Sequence, residues 1–93
     1  MAVTILVPMA LRSFTGRKSE VEVYGGTAGE AVSAFADAYP DIKPHLYDDN
    51  GSLRSYINLY VGKINIKNLQ GVDTPLNDGD TIMLVPAIAG GGL

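Results

Sequence analysis

The chain has no cysteine, no tryptophan and a single histidine, His45. Without cysteine there is no disulfide, no thiolate-bound zinc, no iron–sulfur ligation and no thiol nucleophile. His45 has no second nitrogen or sulfur ligand to join it, so it reads as a surface residue and no bound metal or cofactor is expected. No nucleophile–base pair can be assembled either, which argues against an independent enzyme. Charge is sparse: 18% of residues are charged, with 7 Lys and Arg against 10 Asp and Glu, and no basic cluster. A phosphate backbone would find little counter-charge, so no nucleic-acid partner is expected. No run approaches the ~18 consecutive apolar residues that suggest a membrane span. The apolar opening from Met1 to Leu11 lacks a basic leader and alternates in hydropathy, so it reads as a strand and not a signal peptide; the expected location is cytoplasmic.

What is present suffices for one domain with one core: 93 residues, 46% of them hydrophobic. Val3, Ile5 and Val7 recur at period two and predict a half-buried strand over residues 2–8. Leu11 to Gly16 carries turn formers, and Glu20-Val21-Glu22-Val23-Tyr24 alternates again, so a hairpin with a long loop is expected. Thr27-Ala28-Gly29-Glu30 has the form of a capping box. A helix should start there, with Ala28, Ala31, Val32, Phe35 and Ala38/Tyr39 as its buried stripe and Pro40 as its stop. Residues 41–55 read as a long connection with one helical turn near Ile42 to Leu46. Tyr56 to Val61 is expected as the central strand, with Ile57, Leu59 and Val61 inward and Asn58 and Tyr60 outward. Gly62-Lys63 turns it into a short strand at 64–66, and Asn77-Asp78-Gly79-Asp80 launches a last strand, Thr81 to Val85. One helix covering one face of a mixed sheet of four to five strands makes the fold α+β.

After Pro86 comes Ala87-Ile88-Ala89-Gly90-Gly91-Gly92-Leu93. Glycine loses the most backbone entropy on ordering and buries no side chain, so 1–86 is read as the domain and 87–93 as a flexible tail. Such a tail can thread a narrow enzyme channel in which any Cβ would collide, delivering a carboxylate to a nucleotide. A glycine carboxyl is the least hindered one available, and once adenylated it is an electrophile.

Three segments carry a family resemblance over nearly the whole chain: Leu11-Arg12-Ser13-Phe14-Thr15-Gly16, Tyr56-Ile57-Asn58-Leu59-Tyr60-Val61, and Asp78 through Gly91. The chain resembles the ubiquitin-like sulfur carriers of the ThiS/MoaD type, and more closely the CysO-like mycobacterial subgroup. The resemblance implies a β-grasp fold and a protein cosubstrate in place of an enzyme. An E1-like adenylating partner would consume ATP, sulfur would be carried as a C-terminal thiocarboxylate, and a sulfur-accepting synthase would receive it. Cysteine or homocysteine/methionine synthesis is the first destination, with the molybdopterin synthase small subunit and the thiamin sulfur carrier as alternatives. A β-grasp interaction module or protein modifier without sulfur chemistry is the reading of another class. Family members function with Gly-Gly as the final pair, whereas Gly92-Leu93 follow Gly91 here. A precursor is therefore expected, trimmed by a JAMM-type zinc protease to expose Gly91, or in the other register Gly92, with Gly90 preceding the reactive glycine.

If Ile82 and Leu84 point inward, Met83 and Val85 point outward beside Tyr60, giving an apolar docking patch upstream of Ile88. Arg12 and Lys63 could meet acidic groups on a partner, although solvated surface is the plainer reading. Gly25-Gly26-Thr27-Ala28-Gly29 lacks a full G-x-G-x-x-G and reads as strand end plus helix cap. Asp48-Asp49-Asn50-Gly51 lacks the oxygen spacing of a calcium loop and reads as a turn.

Overall fold

The computed structural model describes residues 2–86, so the tail at 87–93, with Ile88, Gly90, Gly91 and Gly92, lies outside the described residues. Strand β1 (Ala2–Leu6) and strand β2 (Glu20–Tyr24) form an antiparallel hairpin in register from Ala2↔Tyr24 to Leu6↔Glu20. β1 stops short of the expected residue 8. Pro8 has no N–H for a ladder, and the chain turns there into a 3-10 helix, Met9–Phe14, where only turn was expected. Val7 still packs into the core and its N–H reaches the Ser19 carbonyl at 2.8 Å.

Helix α1 (Ala28–Ala38) begins where the capping signal places it. The Thr27 hydroxyl accepts from the Glu30 N–H at 3.2 Å, and the Glu30 carboxylate reaches back to the Gly26 N–H at 2.8 Å. The reciprocal bond falls one residue earlier than in the usual box. Its buried stripe is Ala28, Ala31, Val32, Phe35 and Ala36. Ala38 is exposed and Tyr39 half-buried, because the helix ends at Ala38 and the next turn, Pro40–Ile42, swings the chain toward the core. Ile42 and Leu46, the latter on the short helix α2 (Lys43–Leu46), are fully buried there.

Strand β3 (Ile57–Val61) turns through Gly62 into the short strand β4 (Ile64–Asn65); Ile66, expected in that strand, begins a 3-10 turn and is buried. Strand β5 (Thr81–Pro86) pairs parallel with β1 and antiparallel with β3, giving the order β2-β1-β5-β3-β4. The central strand is therefore β5, and β3, expected in that place, lies beside it. Long-range hydrogen bonds seat the turn before β5: the Gly79 N–H donates to the Ala2 carbonyl at 2.7 Å and the Thr4 N–H to the Asp80 carbonyl at 2.9 Å. Gly79 has φ +87, which its lack of a Cβ permits. The five-stranded mixed sheet carries α1 on one face, the arrangement of a β-grasp fold, with Val3, Ile5, Leu59, Ile82 and Leu84 of the sheet packed against Val32 and Phe35.

Candidate functional site

Alternation along the strands sends one set of side chains to the core and the other to the sheet face away from α1. On that outer face the register places Leu6 opposite Met83 on one side and Tyr60 opposite Met83 on the other. Directly opposed side chains stand roughly 4.5–5.5 Å apart at Cβ, so Leu6, Met83 and Tyr60 make one apolar row across β1, β5 and β3. Met83 at its centre is 37% exposed, whereas Leu6 and Tyr60 are half-buried. Val85 lies on the same face and is half-buried, but its cross-strand partner is Asn58 and not Tyr60. The inward neighbours Ile82 and Leu84 are in the core.

The row ends at a groove created by unequal strand lengths. β1 follows β5 only to Leu6↔Met83, while β3 follows it to Ile57↔Pro86. A groove of about 500 Å³ opens where β1 would have continued, with Pro8 and Arg12 on one wall and Met83 to Pro86 on the other. Pro86, from which the tail departs, also borders a smaller groove of about 370 Å³ with Phe14, His45 and Tyr56. His45 is exposed, its ring centroid 4.8 Å from that of Phe14.

Arg12 departs from the plain solvated reading. It is half-buried and its Nε donates to the Val7 carbonyl at 3.0 Å, which holds the guanidinium over the groove. The loop behind it is tightly tied. The Arg12 carbonyl accepts from the Thr15 N–H at 3.1 Å and the Arg17 N–H at 2.7 Å, and the buried Thr15 hydroxyl reaches the Lys18 carbonyl at 3.0 Å. Arg17 takes the left-handed conformation, φ +69, in this turn. Lys63 is exposed in the β3–β4 turn. Leu6 is the residue that sequence reasoning did not place at the site, and Arg12 was weighed there only as a side chain that could meet a partner's acidic group. Leu6 carries a readable signal, an apolar residue on the outward side of β1 after Ala2 and Thr4.

A larger concavity, about 690 Å³, lies elsewhere, between α1 and the loop after α2. Tyr47 lines it, and its hydroxyl is pushed above the ordinary tyrosine pKa by burial and, secondarily, by the Asp37 carboxylate. Asp37 itself meets Lys43 at 3.0 Å, both side chains well exposed. Residues 48–51 form the expected turn, with Asp48 Oδ1 accepting from the Asn50 and Ser52 N–H groups. Among the described residues no group of three or more His, Asp or Glu side chains is placed to hold a metal, and no helix is long and apolar enough to cross a membrane.

Pro86, the last described residue, lines the groove beside the outer row, and the glycine-rich segment follows it in sequence. Comparison with known proteins identifies the family. The family model described as "ThiS family" matches residues 5–91. Sulfur carrier protein CysO of Mycobacterium tuberculosis is 34% identical over 93 residues, covering 98% of this chain and all of the relative. The crystal structure of M. tuberculosis CysO superposes with a TM-score of 0.82 at 32% identity, over 92% of this chain and 99% of that one. The CysO complex with BexX from Amycolatopsis orientalis gives a TM-score of 0.84, also at 32% identity, over 94% of this chain and 97% of that one. On this sequence match and this fold, the chain belongs to the ThiS family and is a small sulfur-carrier protein, not an enzyme.

Proposed function

We propose that Gly91 bears the sulfur, as a C-terminal thiocarboxylate formed by an E1-like enzyme that docks on the row Leu6–Met83–Tyr60 and on Val85, with Ile88 continuing the contact along the tail. The Gly91 carboxylate attacks the α-phosphate of ATP in the partner's site and pyrophosphate leaves. Sulfide equivalents from a sulfur donor then displace AMP from the acyl carbon. The domain's part is to hold the partner at one end of the sheet, while Gly90 and Gly91 pass a channel that admits no Cβ. The likeness to CysO supports an amino-acid destination for the sulfur, cysteine first, with a sulfur-accepting synthase as the second partner in the cytoplasm.

The carboxyl of Gly91 is joined to Gly92, so loading requires removal of the residues after it, and a JAMM-type zinc protease is the proposed agent. The family match ending at Gly91 is the observation that carries this register over Gly92. Intact-mass measurement tests both steps. Incubation with the protease should leave a chain ending at Gly91. Later addition of ATP, the E1-like enzyme and sulfide should exchange one oxygen for one sulfur at that terminus. A product ending at Gly92 would move the register. A trimmed chain that never gains sulfur would favour a modifier or binding module.

A further inference from the structure

β2 is an outer strand of the sheet, with β1 on one side and no strand on the other. The direction of its backbone groups follows from β1. The Thr4 N–H donates to the Asp80 carbonyl and the Gly79 N–H to the Ala2 carbonyl, so Ala2, Thr4 and Leu6 turn their backbone groups toward β5. The Val7 N–H donates to the Ser19 carbonyl, so Val3, Ile5 and Val7 turn theirs toward β2, where Val23 and Val21 oppose Val3 and Ile5. The N–H and C=O groups of Glu20, Glu22 and Tyr24 therefore point away from the sheet, and among the described residues no other element hydrogen-bonds them. These three free donor–acceptor pairs recur about every 6.8 Å, two residues apart. The side chains of the same residues stand on the outer face, opposite Leu6, Thr4 and Ala2, and all are exposed, Tyr24 to 69%. Glu20 and Glu22 are the only charged residues in the five strands. Arg12, Arg17 and Lys18 precede β2, but neither glutamate makes an ion pair with them or with any other described residue.

We infer that the β2 edge receives an extended segment of a protein partner with Lys or Arg at alternate positions, added to the sheet as a sixth strand. Its main chain bonds the free groups of Glu20, Glu22 and Tyr24, and its cations lie on the outer face against the two carboxylates and the Tyr24 ring. Charge complementarity selects this occupant over an acidic segment. It also disfavours a second copy of the chain, because antiparallel pairing centred on Glu22 or on Val21 sets glutamate opposite glutamate. The surface is separate from the glycine tail and from Met83, and so goes beyond the function proposed above.

The test titrates the full chain with the peptide acetyl-(Lys-Thr)3-amide and follows backbone amide shifts by nuclear magnetic resonance. Saturable shifts are expected, centred on the amides of Glu20, Glu22 and Tyr24. The double variant E20Q/E22Q should weaken Kd about fivefold with its melting temperature unchanged. The same peptide N-methylated at its lysine amides keeps its charge but cannot bond the edge, so its saturable shifts should be lost. Unchanged affinity of the N-methylated peptide shows charge attraction without strand addition and overturns the inference. So does an unchanged Kd in E20Q/E22Q, equal binding of acetyl-(Glu-Thr)3-amide, or the absence of saturable shifts at β2. Dimers on sedimentation that E20Q/E22Q strengthens and the lysine peptide fails to disperse show a second copy on the edge and overturn it as well. The assay involves neither sulfur loading nor Met83, so the proposed function stands or falls separately.

Discussion

Replacing Met83 with Asp separates docking from folding, because Met83 is the most exposed member of the apolar row and is nevertheless two-sided in its contacts. Full burial of a methionine side chain is worth about 1.5–3 kcal/mol. Met83 is 37% exposed in the free chain, so a partner that covers the rest gains about 0.5–1 kcal/mol from it. Met83→Ala should accordingly weaken kcat/KM for adenylation only about two- to fivefold. Met83→Asp adds a carboxylate that docking must strip of water between Leu6 and Tyr60, with no cation opposite it in the row. An uncompensated buried charge costs about 3–5 kcal/mol, which predicts a loss of more than about 100-fold. In the free chain the same carboxylate stays partly hydrated, so folding should lose about 1–2 kcal/mol and the melting temperature about 4–8 °C per kcal/mol. Carrier-dependent pyrophosphate release by the E1-like enzyme, beside thermal melts by circular dichroism, reads both quantities. Ile64→Asp is the control. Ile64 is 51% exposed on β4 and opposes Val61, which faces the core side, so the same substitution there should leave adenylation intact. Near-normal adenylation of a folded Met83→Asp chain would refute the docking face.

Three further expectations concern the scaffold. A Cβ at Gly25 would stand 2.6 Å from the Ala31 N and 2.9 Å from its Cα; backbone must move, so Gly25→Ala should cost more than about 2 kcal/mol by urea titration. Thr27→Ala removes the cap of α1 and should cost about 1 kcal/mol in the same assay, with less loss on Thr27→Ser. The Tyr47 pKa is raised in the folded state, first by burial and then by Asp37, so above the unfolded tyrosine value of about 10 the unfolded chain binds fewer protons than the folded one. Stability associated with Tyr47 is thus complete below about pH 10 and is lost as pH rises from there through the raised folded value. Tyr47→Phe should flatten that alkaline decline in melting temperature; an unchanged slope would assign it to other groups.

Local signals in the sequence were faithful wherever short-range chemistry decides the structure. The alternation of Glu20 to Tyr24 fixes β2 to the residue, Thr27 and Glu30 mark the start of α1, and Asn77 to Asp80 form the turn before β5. Strand order was not legible, since β3 and β5 are similarly apolar and only non-local pairing decides which is flanked by β1. The length of β1 was overestimated because Val7 continues the buried period after the ladder has ended at Leu6. Arg12 was readable as a side chain that could meet a partner's acidic group, but not its position, which depends on where β1 stops and brings the Val7 carbonyl within reach of Nε. Met83 and Tyr60, by contrast, follow from period-two alternation alone, and the register adds Leu6 to them.

The position of the tail constrains how such a carrier can be used. Five residues separate Pro86 from the Gly91 carboxyl inclusive of Gly91, and an extended chain spans at most about 3.3–3.6 Å per residue, so that carboxyl lies within ~18 Å of Pro86. The domain's shortest principal extent is 25 Å. On the proposed function, an activating enzyme, a trimming protease and a sulfur acceptor must all bring their reacting atoms into that same short radius. Their bodies then compete for the end of the sheet where β5 emerges, and the carrier has to leave one before it can serve the next. Tight docking at any one of them would stall the cycle. A small apolar row is suited to successive, readily released partners, with affinity set by a few contacts and not by a large buried area.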